Sequence, residues 1–522
     1  MPCPPGHPPP SGKRRFDKEH LPSRHVTEGP YRALQRTFYY AMGLGPDEVH
    51  RPIIGVASAW DARSWAGEGP LRMADLVQEG VWAGGATPRR FATVAGGQAA
   101  DARSQDGAGP TLVGRELVAD SVELTVRGHS YDALVGIAAE PVAMVGLALG
   151  MCRLDVPSVL VPVLGAARDA AAEQVAVAAM IETIGLALPG AAAVGRAQPQ
   201  VAEAARQAGR AVTDLVYERV PPRTIVTAEA LRNGAAVLGA IGADADLAIH
   251  LMAIARECGV ATTLRELVGV MAATPQLART RIDPDVLAGG LGGVLSALIE
   301  LGLVDGGCAT AGGTTLAEAV AEAEPVDAGS GEAASVGWAE GALAPDGALV
   351  SYAEGSRRVL RGQAKVFRSE ADACGWLRDE GWDAGVVPVV RGQGPVGAPG
   401  LLRLDRLAAL IETAAVPLDA LVITDGRMRF LPNVTGVTAV GPEAAREGPL
   451  AELADGDRVE LEPATGVLGW TPDDTRPRAA PEALASVGPT LTKYRATVRA
   501  AIEGATTHPG ASAEITRYAD LV

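Results

Sequence analysis

A lone carboxylate, Glu140, stands in a turn of a kind that often binds ligands. The apolar run at residues 133–137 predicts a strand, and the small residues that follow Pro141 predict a helix. Ligands of α/β proteins bind outside the carboxyl ends of strands, beside helix amino termini. Apart from Glu140, this turn holds only alanine, proline and valine. Glu140 is therefore a candidate for proton transfer, and what else could act beside it depends on the surrounding elements.

The elements around this turn alternate between strand and helix. Four apolar segments predict strands, with helical patterns between them: RPIIGVASA, RRFATVAG, YDALVGIA and PSVLVPVLG. Short strands alternating with helices are typical of a mostly parallel sheet covered by helices on both faces. We predict an N-terminal α/β domain over residues 31–330, after a Pro-rich, basic leader at residues 1–30 that we expect to be disordered.

The residue pattern changes after residues 327–335, a segment of small and polar residues. Six β-rich segments follow, with one helical pattern near residues 405–414. Short strands separated by turns favour a β-barrel or a β-sandwich, which we place at residues 336–470. Residues 471–522 are expected to form a Pro-rich linker, a helix near 491–502 and a loose tail.

Composition excludes several classes of function. The chain has 522 residues and a formal net charge of −16, with aromatic residues at 4%, so neither a basic nucleic-acid footprint nor a stacking surface is expected. No stretch approaches the roughly 18 apolar residues that a membrane span needs. The five cysteines form no C-x-x-C pair, which favours free thiols in a reducing cytoplasm. Cys152 and Cys258 are expected to be small core residues, and His129 and His250 to be structural.

Eight strings occur together in the order and spacing of one family. They are RPIIGVASAW, GRELVADSVELTVRGHSYDALV, CRLDVPSVLV, IETIGLALPG, LAIHLMAIAREC, GPVGAPG, VITDGR and VGPEAAREGPLAELADGDRVELE. From about Arg51 to Glu462 the chain resembles the dihydroxy-acid/phosphogluconate dehydratase family. The resemblance implies an α/β domain that carries the cofactor site, a C-terminal β-barrel domain that closes over it, and a homodimer.

The resemblance also implies a chemistry. Members of this family eliminate water from a vicinal dihydroxy acid, with an iron–sulfur cluster as Lewis acid, usually a Mg²⁺ held by carboxylates and a carbamylated lysine, and a serine base. At the matching positions this chain holds other residue types. The replacements are Glu140 for the cluster cysteine, Pro141 for an aspartate, Val142 for the lysine, Gln98 near an earlier Asp-Gly pair, Arg168 near a second cysteine, Arg403 for a metal-binding glutamate and Arg429 for the serine.

These replacements predict that neither cofactor binds. An iron–sulfur cluster requires thiolates, and Mg²⁺ prefers oxygen ligands in an octahedral arrangement. We therefore expect no iron–sulfur cluster, no Mg²⁺ and no metal site. Without the Lewis acid and the serine base, the ancestral mechanism of dehydration is not expected to operate.

Three of the replacements are arginines that the resemblance places around one cleft: Arg168, Arg403 and Arg429. A guanidinium binds a carboxylate or a phosphate through paired hydrogen bonds, so the cleft is predicted to bind a small acidic metabolite. Gln98 and Thr424 are further candidate ligand-binding residues. Asp425, after an apolar strand, joins Glu140 as a candidate for proton transfer. In the alternative interpretation, Glu140 pairs with an arginine in an inert cleft, or is solvated at a helix start.

Three functions stay open from the sequence. The first is a cofactor-free, repurposed protein that binds or converts a small acidic metabolite. The second is a non-catalytic pseudoenzyme with a binding or regulatory role. The third is a genuine iron–sulfur hydro-lyase with an atypical site, which would contain iron.

Overall fold

A four-stranded parallel sheet organises the first domain. The computed structural model describes residues 18–60, 69–95, 111–164, 172–193, 198–277, 290–327, 335–355, 358–473, 475 and 484–511. The strand order is β2-β1-β3-β4. The strands are β1 (Ile53–Ala59), β2 (Thr87–Thr93), β3 (Ala133–Ala138) and β4 (Ser158–Pro162). All pairs are parallel, and β1 and β3 are buried along their whole length.

Helices cover both faces of this sheet. Side chains alternate between the two faces of a strand, so neighbouring residues of β1 enter different cores. Ile53 packs with side chains of the helices Thr111–His129 and Pro141–Leu154. Ile54 packs on the opposite face with side chains of the helices Gly69–Gly84 and Gln198–Glu218. The predicted doubly covered α/β domain is therefore confirmed.

The described residues also form further α-helices and several short 3-10 helices. The remaining α-helices are Arg24–Thr27, Ala33–Ala41, Pro46–Val49, Ala172–Thr183, Pro222–Ile225, Ala228–Ala240, Ala248–Cys258, Leu264–Ala273, Gly292–Glu300, Leu316–Ala319, Glu370–Asp379, Asp405–Ile411, Pro449–Glu452 and Pro489–Thr497. The 3-10 helices are Lys18–His20, Pro30–Arg32, Ala245–Leu247, Ala444–Arg446 and Ala501–Glu503. No helix of the described ranges is long and apolar enough to cross a membrane.

The second domain is a closed eight-stranded barrel. Its strand order is β10-β6-β5-β12-β11-β7-β8-β9. The strands are β5 (Val336–Gly341), β6 (Ala344–Ser351), β7 (Leu360–Phe367), β8 (Val386–Val390), β9 (Ala420–Thr424), β10 (Val434–Gly441), β11 (Arg458–Glu462) and β12 (Val467–Thr471). Closure decides between the two architectures that the segment pattern left open, and confirms the barrel. β5 and the helix Glu370–Asp379 were not among the predicted elements.

The segment before the first strand differs from the expected leader. Residues 1–17 lie outside the described residues, but residues 18–30 are folded rather than disordered. Ser23 donates from its backbone N and its Oγ to the buried carboxylate of Asp132, both at 2.7 Å. Lys18 donates to Thr27 Oγ1 and to Val49 O, both at 2.9 Å. These buried polar contacts fix the segment, and its Pro-rich, basic composition does not reveal them.

The C-terminal segment contacts both domains. Its α-helix is shorter than predicted, Pro489–Thr497, and a short 3-10 helix follows. Arg495 Nε donates to Val396 O in the barrel domain at 2.9 Å. Arg115, fully buried in the α/β domain, donates from Nη2 to Gly504 O at 2.8 Å and to Ala505 O at 2.9 Å. We call residues 484–511 the strap.

Candidate functional site

Glu140 occupies the predicted strand–turn–helix position. It follows β3 and Ala139, and directly precedes the helix Pro141–Leu154, whose first position is proline, a residue favoured there because its ring pre-sets the helical φ. The Glu140 side chain is half-buried, and its backbone carbonyl accepts from Met144 N at 2.9 Å. Gln174 Nε2 donates to Ala139 O at 2.7 Å and ties the turn to the next helix. The carboxylate therefore stands at the carboxyl edge of the sheet.

Arg403 lies where the barrel meets the α/β domain. Its Nη1 donates to Glu173 Oε2 and its Nη2 to Asp244 Oδ2, both at 2.7 Å. Its Nε lies 3.2 Å from Asp405 Oδ1, but the angle at the N–H does not meet the geometry of a hydrogen bond. Burial alone would lower the pKa of Arg403, yet the carboxylates of Glu173, Asp246 and Asp244 raise it well above its usual value. The result is a permanent positive charge held across the domain interface.

Asp246 lies deeper in the same cluster. Its Oδ2 accepts from Arg427 Nη1 at 3.3 Å, and Arg427 Nε donates to Leu401 O at 3.1 Å. Burial raises the pKa of Asp246 to about 6 against the opposing effect of Arg403 and Arg427. Asp244 and Asp246 were not among the predicted site residues; the signal for them is the GADADLA string, which places two carboxylates at the start of a helical segment.

Arg429 is at the edge of this cluster rather than inside it. Its Nη1 pairs with Glu412, and its side chain is 30% exposed. The hydrogen bond to Glu412 raises the pKa of Arg429, while the nearby charge of Arg403 opposes the rise. The next residue, Phe430, donates from its backbone N to Asp244 Oδ1 at 3.0 Å. The structure thus brings Arg403 and Arg429 into one neighbourhood. Arg168 and Gln98 lie outside the described residues.

Asp425 is buried and bonded to the backbone of two barrel loops. Its Oδ1 accepts from Gln393 N at 2.8 Å, and its Oδ2 accepts from Gly392 N at 3.0 Å and Ala444 N at 2.9 Å. Burial raises the pKa of Asp425, and these backbone donors oppose the rise. Thr424, also fully buried, accepts from Gly426 N through Oγ1 at 2.9 Å. Both side chains hold loop geometry, and neither faces solvent.

The described residues do not fit an iron–sulfur cluster or a Mg²⁺ of the kind the resemblance implies. The turn that would supply a thiolate has only the Glu140 carboxylate, and the four described cysteines are free, buried and elsewhere in the fold. At the barrel side, Arg403 meets carboxylates that would otherwise repel one another. Within the described ranges no group of three or more His, Cys, Asp or Glu side chains could hold a metal ion.

Known proteins match this chain along nearly all of its length. The family models described as dihydroxy-acid/6-phosphogluconate dehydratase match residues 51–175 and 172–319 for the N-terminal part and 323–505 for the C-terminal part. Dihydroxy-acid dehydratase of Dinoroseobacter shibae is 35% identical over 98% of this chain and 100% of its own length. Dihydroxy-acid dehydratase 2 of Bradyrhizobium diazoefficiens is 33% identical over 97% of this chain and 99% of its own.

Proposed function

The chain belongs to the dihydroxy-acid/6-phosphogluconate dehydratase family, and from that premise we propose that it is a repurposed member. In this proposal it binds or converts a small acidic metabolite without an iron–sulfur cluster or Mg²⁺. The observation that carries the proposal is the buried guanidinium of Arg403 between the two domains. It supplies a charged hydrogen-bond donor, paired with Glu173 and Asp244, at the interface between the barrel and the α/β domain.

Arg403 can accept an acidic ligand by exchanging a partner. A guanidinium has five N–H donors, and the protein uses one on Nη1 and one on Nη2. Glu173 is partly accessible, with its side chain 19% exposed. A ligand carboxylate can take its place on Nη1 and bind in the two-pronged geometry that arginine favours. Arg429, which is more exposed, adds positive charge beside the cleft, and Glu140 is the candidate for proton transfer.

The test is a thermal-shift screen of small carboxylic and phosphorylated acids, with mass spectrometry of the mixtures to detect products. The variant is Arg403→Gln, which removes the charge and keeps hydrogen-bonding groups. The matched control is Arg265→Gln, because Arg265 forms an exposed ion pair with Glu340. We expect acids that stabilise the wild type and Arg265→Gln to lose most of that effect in Arg403→Gln. Equal stabilisation of all three proteins would reject Arg403 as the acid-binding group.

Iron content tests the absence of the cluster separately. We expect protein purified anaerobically to be colourless and to lack stoichiometric iron, since no described thiolate stands at the turn of Glu140. Brown protein with stoichiometric iron would replace the proposal with the atypical iron–sulfur hydro-lyase.

A non-catalytic pseudoenzyme is the second candidate. It is favoured by the contacts that the protein already makes with two side chains that a substrate would otherwise meet. Arg403 bonds two carboxylates of the other domain, and Asp425 accepts three backbone N–H groups. Stabilisation by an acid with no product detectable by mass spectrometry would select this candidate.

We also propose a homodimer in the cytoplasm. An exposed apolar face supports the dimer: Tyr31, Leu34 and Phe38 are 95%, 68% and 63% exposed, and their spacing places them on one side of a helical segment. Exposed apolar patches commonly mark protein interfaces. The free thiols support a reducing compartment. Light scattering should give twice the chain mass for the wild type and a smaller mass for Phe38→Asp.

A further inference from the structure

A buried carboxyl group, Glu443, holds a barrel loop at the junction with the strap. Its side chain is 4% exposed. Oε1 accepts from Val396 N at 3.1 Å, and Oε2 accepts from Val396 N and Gly397 N, both at 3.0 Å. A Cβ at Gly394 would collide with Glu443 Oε2, so a glycine is needed for this close approach. Glu443 therefore holds the loop at residues 392–400 through two backbone N–H groups.

The strap binds the same two loop residues through their carbonyl groups. Arg495, on the strap helix Pro489–Thr497, donates from Nε to Val396 O at 2.9 Å. Its Nη2 donates to Gly397 O at 3.2 Å. A movement of this pair of residues away from Glu443 therefore also disturbs the contact between the strap and the barrel.

Arg446 and a small cavity form a second connection between Glu443 and the strap. Arg446 Nε donates to Glu443 Oε1 at 3.3 Å, and its Nη2 donates to Val498 O of the strap. The cavity has room for about one water molecule, and its lining includes Asp425, Glu443, Arg446 and residues 500–502. Because the strap forms one wall of this cavity, release of the strap exposes Glu443 to water.

The charged and titratable groups around Glu443 come from three elements. Asp425 follows β9 and lines the same cavity, and Arg446 lies on the 3-10 helix directly after Glu443. On the strap, Arg495 binds the loop carbonyls, and Tyr494 is near enough to Glu443 for an electrostatic interaction. The loop at residues 392–400 has no ionisable side chain and contributes backbone groups only.

The closed arrangement favours the protonated form of Glu443. Burial raises the pKa of Glu443 from 4.5 to about 7, and Asp425 adds to the rise against the opposing effect of Gly397 N, Val396 N and Arg446. Water that reaches the carboxylate would return its pKa towards the ordinary value. The closed state thus holds a proton that the open state has released. The closed state must therefore lose stability as the pH rises from about 5 towards 7.

We propose that the strap is a pH-sensitive closure of the domain interface, and that ionisation of Glu443 releases it from the barrel. The strap is closed most firmly while Glu443 is protonated, and it opens more often as Glu443 ionises. This role involves neither Arg403 nor a ligand, so it is independent of the proposed function.

Hydrogen exchange of the full chain tests the closure, with rates expressed as protection factors so that the intrinsic effect of pH is removed. In the wild type, protection of residues 498–505 should fall at least about fivefold between about pH 5.5 and 7.5. Glu443→Gln has no carboxyl group to titrate at this position, and its protection there should change less than about twofold. The matched control is Glu447→Gln, which removes an exposed carboxylate four residues away and should behave as the wild type.

The shape of the wild-type curve is a second readout that needs no variant to fold. Protection of residues 498–505 should fall up to about pH 7 and then level off, because Glu443 is ionised in both states above its pKa in the closed state. A curve that levels off near pH 6 would instead follow Asp246, whose pKa is about 6, and would overturn the role of Glu443. Protection that does not change with pH, or that falls equally in the wild type and in Glu443→Gln, would also overturn it.

Discussion

The charge of Arg403 is balanced inside the protein. Its partners Glu173 and Asp244 belong to the α/β domain, and the arginine belongs to the barrel domain. Removing one partner of a buried ion pair is strongly destabilising because it leaves a charge without compensation. Arg403 therefore joins the two domains, and any ligand that it binds must compete with this role.

Asp425→Asn should destabilise the protein. An asparagine can direct its Oδ1 to only some of the three backbone N–H groups that the carboxylate accepts, and its Nδ2 meets donors with another donor. An unsatisfied buried donor costs about 1–3 kcal/mol, so a loss of about 2 kcal/mol is expected in urea unfolding. Asp405→Asn, at the half-exposed Asp405, should cost much less. Unchanged stability in Asp425→Asn would contradict a loop-holding role.

Asp246 should make the stability of the protein depend on pH. Its pKa is raised to about 6, so the folded state holds a proton that the unfolded state has released. Stability from this group is therefore greatest at low pH and falls as the pH rises towards and through 6. Between pH 5 and 7.5 the change is about 1.4 kcal/mol. The asparagine in Asp246→Asn does not titrate. The free energy of unfolding of this variant should therefore rise by that amount relative to the wild type between pH 5 and 7.5.

Urea unfolding of the two proteins at both pH values measures this difference. Asp405→Asn again serves as the control, and its stability should change with pH by the same amount as that of the wild type. A constant difference between Asp246→Asn and the wild type from pH 5 to 7.5 would show that the Asp246 carboxyl is not held protonated by the fold.

Residue types near the site were accessible from the sequence, but their pairings were not. Arg403 and Arg429 could be located because the strings around them match a family in register. The partners Glu173 and Asp244 are 230 and 159 residues away from Arg403 along the chain. Which carboxylates meet an arginine depends on how the barrel docks on the sheet, and that docking leaves no local pattern in the sequence.

At the scale of elements, apolar runs predicted strands well where the strands are buried. β1, β3 and β9 are buried throughout and read as continuous apolar segments. The helix Glu370–Asp379 was missed, since it is short and has Gly375 in its middle, which weakens helix propensity. It forms because Ser369 caps its N-terminus, where Ser369 Oγ accepts from Asp372 N at 3.1 Å. Trp376 also packs into a core on the barrel side.

The folded segment before the first strand gives a prediction at this scale. Ser23→Ala removes the Oγ bond to Asp132 and leaves a buried carboxylate oxygen with fewer donors. The free energy of local unfolding of residues 18–30 is expected to fall by about 1–2 kcal/mol. Limited proteolysis should cut this segment faster in Ser23→Ala. Thr37→Ala, which removes an exposed hydroxyl bond to Leu34 O, is the control and should be cut at the wild-type rate.

At the scale of the whole molecule, the strap connects the two domains in addition to the Arg403 cluster. On the barrel side Arg446 Nη2 donates to Val498 O at 2.5 Å. On the α/β side Arg256 pairs with Glu503 and His508 pairs with Glu257, at 2.7 Å and 2.8 Å. Because its two ends are bonded to different domains, the strap should unfold only when the interface opens.

Arg115→Gln tests this coupling. Arg115 is fully buried and holds the carbonyls of Gly504 and Ala505, and glutamine is too short to reach both. We expect hydrogen exchange of residues 499–511 to become at least about tenfold faster, which corresponds to about 1.4 kcal/mol of lost protection. Arg499→Gln breaks an ion pair with Glu503 inside the strap and should have a smaller effect.

Hydrogen exchange on the barrel side of the interface shows whether the strap couples the domains or only packs on one of them. If it couples them, exchange in the Arg115→Gln protein should also rise at the amides of Val396 and Gly397, whose carbonyls accept from Arg495. Those amides lie in the other domain and donate to Glu443. Faster exchange confined to residues 499–511 would mean that the strap end detaches alone, and that other contacts, the Arg403 cluster among them, keep the barrel on the sheet.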